Sequence, residues 1–236
     1  MIKDAPDFSV GTLGLSPIAI NTIPIVKNYP GGNVFFFDNF EGPNITWEVA
    51  KGYIEEYGFA EIDKTHAYIG GRCARLYRNE DQYVVVKLGR RFQFRPSNTI
   101  GIECSFMVSD KRGTRAEIVY EYKIGGTIYQ YFISFMELYI RVATSEGDIY
   151  YPYNPGNGLD NMVWSNVKII INTKDHRYVR LYYGKDIRDI NRPASTISEA
   201  GSGSPRLRLG CFFSNTGDAA KSLWIDKVIL TDDETI

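Results

Sequence analysis

From residue 33 onward, short apolar or alternating runs recur between turn signals, at 34–40, 67–77, 82–88, 99–109, 115–123, 127–135, 137–144, 164–172, 177–183, 205–213 and 223–231. Runs of this length and number predict two packed antiparallel sheets rather than a chain of βαβ units. Period two is plain in "TIGIECSFMV": Ile100, Ile102, Cys104, Phe106 and Val108 share one face, and Gly101, Glu103, Ser105 and Met107 the other. That strand reads as core on one side and comparatively wet on the other. In "PRLRLGCFF", Leu207, Leu209, Cys211 and Phe213 point one way, with Arg206, Arg208 and Gly210 opposite. "EYKIGGTIYQYF" predicts a hairpin at Gly125-Gly126, because two glycines accept the positive φ values of a tight primed turn. Residues 145–163 and 184–204 are rich in Pro, Gly, Asn, Asp or Ser and read as surface loops, the second with room for a short helical turn.

The start of the chain breaks this rhythm. Pro6, Pro17, Pro24 and Pro30 interrupt short apolar pieces, and Gly31-Gly32 closes the zone. Proline blocks internal ladder bonding while Ile18, Ile20, Ile23, Ile25 and Val26 retain surface to bury. Residues 1–32 are therefore expected to be an extended arm making an assembly contact, and residues 33–236 a single sandwich domain. In "VFFFDNFEG", alternation puts Phe35 and Phe37 on one face and Phe36 on the other, a strand buried on both sides between the sandwich and the arm or a neighbour.

Composition narrows the functional classes. The 236 residues are 44% apolar, with 13 Phe, 17 Tyr and 3 Trp, enough for a real core of pleated sheets. Lys and Arg number 27 against 28 Asp and Glu, so the concentrated basic field of a nucleic-acid binder is missing. Lys87, Arg90, Arg91 and Arg95 form a local basic run that reads as a solvated turn flank. Cys73, Cys104 and Cys211 are odd in number and widely spaced, which suits core thiols rather than a disulfide framework or a metal knuckle. Neither a signal-peptide core nor a stretch of about 20 apolar residues is found, so no membrane partner is expected.

The order of landmarks resembles the concanavalin A-like lectin/glucanase sandwich, a jelly roll also seen in laminin G-like and carbohydrate-binding domains. "FFFDNFEG", "FQFRPSNTIGIECSFMVSD", "VWSNVKIIINTKDHRYVRLYYG" and "LGCFFSNTGDAAKSLWIDKVILTD" fall in the matching relative order over residues 34–232. The resemblance implies an all-β, two-sheet antiparallel jelly roll. It also implies a structural calcium held where the first and last strands meet, by Asp38 or Glu41 with Asp226. The competing reading has Asp38 and Asn39 capping the turn and Asp226 at a sheet rim or paired with a base.

Glucanases of this fold use a strand motif E-x-D-x-E, whose alternate carboxylates emerge on one face. Here "EIDKT" supplies Glu61 and Asp63 but Thr65 in the third place. Glu117 and Glu121 share a face with Val119 between them. Their Cα atoms are roughly 14 Å apart at about 3.4 Å per residue, beyond the roughly 5 to 9.5 Å between the carboxyl groups of a glycosidase pair. His66 and His176 are isolated, and no nucleotide-binding fingerprint is present. No catalytic residue is assigned, and the chain is expected not to be an enzyme.

Tyr150, Tyr151, Tyr153 and Trp164 surround a loop carrying Asn154, Asn157, Asp160 and Asn161. Rings offer flat apolar faces to sugars while amides and acids supply directional bonds. Two functions stand ahead of a third, glycoside hydrolysis. The leading one is a non-enzymatic structural protein of a multimeric particle, a capsid decoration or tail-associated virion component that forms a homo-oligomer or meets other subunits through its arm. The alternative is a lectin-like module binding a glycan through Tyr150, Tyr151, Tyr153, Asn154, Asn157, Asp160 and Trp164, in the cytoplasm or outside the cell.

Overall fold

The computed structural model describes residues 32–53, 55–93, 98–153, 159–198, 203–216 and 220–234. Among these, sixteen strands form two antiparallel sheets of eight, and the one helical turn is a 3₁₀ turn at Glu55–Tyr57. Sheet I contains β1 (Asn33–Asp38), β3 (Gly58–Asp63), β4 (Cys73–Arg78), β6 (Thr99–Val108), β11 (Ser165–Asn172), β12 (Arg177–Tyr183), β13 (Asp186–Pro193) and β16 (Lys221–Asp232). Sheet II contains β2 (Glu48–Tyr53), β5 (Val84–Arg91), β7 (Thr114–Ile124), β8 (Thr127–Phe135), β9 (Tyr139–Thr144), β10 (Gly147–Pro152), β14 (Ser195–Ser198) and β15 (Gly203–Phe213). No helix among the described residues is long and apolar enough to cross a membrane.

Strand order in sheet I is β13-β12-β11-β6-β16-β4-β3, with β1 also paired to β16. Sheet II runs β10-β9-β8-β7-β15-β5-β2, with β14 on β8. Inward positions follow the alternation: Ile100, Ile102, Cys104, Phe106 and Val108 of β6 meet Leu207, Leu209, Cys211 and Phe213 of β15 in one core. Each such side chain taken from water contributes roughly 1.5 to 3 kcal/mol. Gly125 and Gly126 both have positive φ, 57° and 81°, and turn β7 into β8 as the sequence predicts. All three cysteines are buried and unbridged.

Two of the register shifts bear on residues singled out from sequence. Between Val34 and Phe36 the register of β1 against β16 slips, so Phe35 and Phe36 both pack on the main core while Phe37 joins Ile229 and Val34 elsewhere. The expected division of Phe35 and Phe37 from Phe36 is corrected by that extra residue. A second slip in β16 lies between Asp226 and Val228, where Lys227 takes φ 51°. Ile225 and Val228 therefore both reach the core, with two charged residues between them.

The outer face of β6 is not wet. Glu103, Ser105 and Met107 are buried as fully as the core face. Ser105 donates to the Asn166 side chain (2.6 Å), which donates in turn to the Tyr68 hydroxyl (3.1 Å), and Tyr68 leans on Trp164. Lower down, Lys168 pairs with Glu234 at 2.7 Å, and Thr99 donates to the Glu234 carbonyl at 2.9 Å. The segments around Tyr68 and Glu234 thus close over a face that alternation alone leaves open. The arm, residues 1–32, lies outside the described residues apart from Gly32, so the structure adds nothing to the division at residue 32.

Candidate groove on the outer face of sheet II

Alternation along β7 turns Arg115, Glu117, Val119 and Glu121 outward, opposite Ala116, Ile118 and Tyr120, which face the core. Cross-strand register sets neighbours beside them: Phe212 opposite Arg115, Gly210 opposite Glu117 and Arg208 opposite Val119 on one side, with Ser134 and Phe132 opposite Glu117 and Val119 on the other. Cross-strand pairing of this kind makes the surface pattern of a sheet.

At one end of this face lies an open groove of about 370 Å³, lined by Lys111, Gly113, Thr114 and Arg115, by Met136–Tyr139 and by Phe212 and Ser214. The loop before β7, the turn between β8 and β9 and the end of β15 converge to form it. Arg115 lies over the Phe212 ring, 4.7 Å from its centroid. Tyr53 and Tyr83 flank the same ring at 5.9 and 6.2 Å. Across the groove Tyr139 meets Tyr150 edge to face at 5.0 Å. Tyr53, Tyr83 and Tyr150 are 73%, 51% and 53% exposed, so a broken row of rings faces solvent. Tyr53 holds φ 60° at the end of β2, a left-handed backbone costing an L residue roughly 1–2 kcal/mol.

Charges on this face are held by ionic partners. Glu117, with only 2% of its side chain exposed, takes Arg115 at 2.6 Å and Lys87 at 2.8 Å. Glu121 takes Arg208 at 2.6 Å and the Gln130 amide at 3.3 Å. Arg141 pairs with Asp148 at 2.8 Å and covers Phe132. Of the basic run, Arg90 covers Phe36 and Arg91 meets Glu48 at 3.8 Å, while Arg95 lies outside the described residues.

The residues proposed from sequence for sugar binding separate in space. Tyr150 stands at the groove, and Asp160 reaches its rim through Lys111 at 3.4 Å. Tyr151 and Tyr153 pack against the main core, Tyr153 beside Tyr183 at 5.1 Å, and burial pushes the Tyr153 hydroxyl's pKa up. Trp164 belongs to the other sheet, against Cys73, Met107 and Trp224. Asn154 and Asn157 lie outside the described residues.

The proposed calcium ligands each accept N–H donors. Asp38 takes the Phe40 amide and the Trp47 indole, both at 2.8 Å, the capping role set against calcium in the sequence reading. Glu41 takes the amides of Gly71 (2.8 Å) and Arg72 (3.1 Å), and Asp226 those of Tyr68 and Ile69 at 2.8 Å. Among the described residues no three acid, histidine or cysteine side chains gather to hold a metal ion. Glu41 and Asp226 thus fasten the 64–72 loop, while Asp38 ties its own turn to Trp47.

Asp63 of the "EIDKT" stretch accepts from Thr65, His66 and the Trp224 indole, and Glu61 takes Arg75. Burial of Asp63 opposes ionisation, but those hydrogen bonds outweigh it and hold the carboxyl well below the usual range. His66 lies tilted against Trp224 at 4.5 Å, and His176 stacks on Tyr129 at 3.6 Å with its pKa lowered by burial.

Arg115, Tyr139, Phe212, Tyr53 and Tyr83 escape sequence reasoning. The alternation in "TRAEIVYEY" already sets Arg115 and Glu117 on one face, but the rings beside them arrive from β2, β9, β15 and the residue before β5.

This architecture is a two-sheet antiparallel jelly-roll sandwich and resembles the concanavalin A-like jelly rolls in fold. No protein-family model matches the chain, and no curated protein matches it in sequence. Solved structures do match in fold. The catalytic domain of an endo-1,3-beta-glucanase (laminarinase) from Thermotoga petrophila superposes with TM-score 0.56 at 10% identity, covering 86% of this chain and 99% of that one. The cellulose-induced protein Cip1 gives 0.54 at 11%, covering 83% and 96%. A structure described with endo-acting O-glycanases of human gut bacteria that initiate mucin breakdown gives 0.52 at 14%, covering 85% and 99%. At these identities the likeness is one of fold.

Proposed function

We propose that the chain is a non-catalytic carbohydrate-binding sandwich that holds a glycan in the groove of Arg115, Tyr139 and Phe212, with Tyr150 at its edge. The observation that carries this reading is the row of exposed rings beside a groove large enough for sugar residues. Sugar-binding faces need flat apolar surface flanked by a few oriented polar groups, and Phe212 with Arg115 supplies both. The fold neighbours include a laminarinase and a structure described with O-glycanases, which supports carbohydrate over the particle-assembly reading. On β7, Val119 stands between Glu117 and Glu121, and both acids are engaged by cations. That pairing favours recognition without bond cleavage.

A glycan microarray followed by calorimetry tests it. Tyr139→Ala and Phe212→Ala are expected to weaken binding about tenfold each, of the order of one ring–sugar contact, with the fold intact by circular dichroism. Binding unaffected by both substitutions, or release of reducing ends from the bound glycan, overturns the reading.

A further inference from the structure

We infer that the groove selects an acidic glycan, whose carboxylate or sulfate group pairs with Arg115 and Lys111. This rests on the glycan-binding reading and adds the chemical class of the ligand. Arg115 is held in a fixed pose: its Nε and Nη2 both donate to Glu117 Oε1, at 2.7 and 2.6 Å, and its plane covers Phe212. A guanidinium has five N–H donors in one plane, so one edge is committed to Glu117 and Nη1 is turned away from it.

The charge balance at the groove also favours an anion. Glu117 serves two cations, Arg115 and Lys87, so the triad carries one net positive charge. Arg208 with Glu121 and Arg141 with Asp148 pair one to one, and the other acid serving two cations, Glu48 with Arg91 and Arg206, lies along β2 and the far end of β15, away from the groove lining. Lys111 adds a second cation on the groove wall; its partner Asp160 is more than half exposed and 3.4 Å away, an exchangeable contact. Glu137 is the acid on the wall itself, on the turn between β8 and β9. A pre-oriented planar cation on an aromatic ring is the arrangement that reads carboxylate or sulfate by paired hydrogen bonds, and its orientation cost is met before the ligand arrives.

Matched pairs of oligosaccharides test the inference on the full chain: oligogalacturonate against its methyl ester, glucuronoxylan fragments against xylan, sialylated against desialylated lactosamine, and sulfated against unsulfated galactan. The expected result is binding at least about tenfold tighter for the acidic member of a pair, a preference that weakens with salt. The uronate, sialate and sulfate arms identify the source of the anion. Arg115→Gln is expected to erase the preference and leave weak neutral binding, and Arg115→Lys to restore it in part. If Arg115→Gln does not fold, Lys111→Gln decides, since it must reduce acidic binding selectively. Equal affinity within every pair overturns the acidic preference while glycan binding stands; no binding to any member overturns both.

Discussion

The outer faces of the two sheets use charge in opposite ways. On sheet I, Glu103, Lys168, Lys227 and Glu234 are all buried, and the Lys168–Glu234 pair is sealed from water. On sheet II, cations remain a fifth or more exposed around a single buried acid, Glu117. Burying ions costs several kcal/mol each unless the pairing is complete, so the charges of sheet I serve the fold and are spent on it. Those of sheet II retain unsatisfied capacity toward solvent, which is what a ligand needs. Burial of the surrounding face, rather than the presence of ionisable residues, separates a structural network from a recognition surface.

The sharpest break of this contrast is Lys168→Ala. It leaves Glu234 buried without its cation and is expected to cost about 3–5 kcal/mol in urea unfolding, whereas Lys111→Ala on the groove wall is expected to fall within about 0.5 kcal/mol. A loss for Lys168→Ala no larger than that for Lys111→Ala would erase the distinction.

Titration sharpens the same point. Burial pushes the Asp226 carboxyl up to about 6, despite the amides it accepts, and that of Glu103 to about 7. A carboxyl whose folded pKa lies above its unfolded value holds its proton more tightly in the native state. Its contribution is favourable below the unfolded pKa of about 4 and is lost as pH rises through the folded value. Stability is therefore expected to fall by a few kcal/mol between about pH 4 and 7. Asp226→Asn should flatten the part between about 4 and 6, as read by denaturant midpoints across pH. A wild-type midpoint that is level over this range would refute the sign.

Gly101→Ala probes the crowding on sheet I: an added Cβ would sit 2.3 Å from both Glu234 Oε1 and Thr231 Oγ1. A loss of about 1–3 kcal/mol is expected in thermal unfolding. The smallest effect belongs to Tyr150→Ala, which should leave the melting temperature nearly unchanged, within about 0.5 kcal/mol, while lowering glycan affinity.

The core of this fold is legible because inward residues alternate cleanly, as in Leu207, Leu209, Cys211 and Phe213. Four of the strands that pattern reading passes over, β2, β3, β10 and β13, are sheet edges, and the fifth, β14, pairs only with β8. Edge strands bury little, so "EVAKGY" or "DIRDINRP" carries no apolar stripe. The groove is less legible still. Arg115 and Phe212 are nearly a hundred positions apart and meet only through β7–β15 register. Conversely, the neighbouring Tyr150, Tyr151 and Tyr153 look like one cluster in sequence, yet strand parity points the first outward and the next toward the core. Closeness along the chain misleads where side chains alternate.

The segment from Asp186 to Ser198 has a mechanical consequence. It begins paired with β12 in sheet I and ends paired with β8 in sheet II, with Ala194 bridged to Thr144 at the crossing. One continuous backbone thus laces the two layers along this margin, like a strap sewn to both halves of a clasp. Pulling the layers apart there must first peel a ladder from one of them, so the margin resists splaying without any covalent crosslink. A backbone cut at Ala194 would leave both ladders in place yet let the layers open from that side.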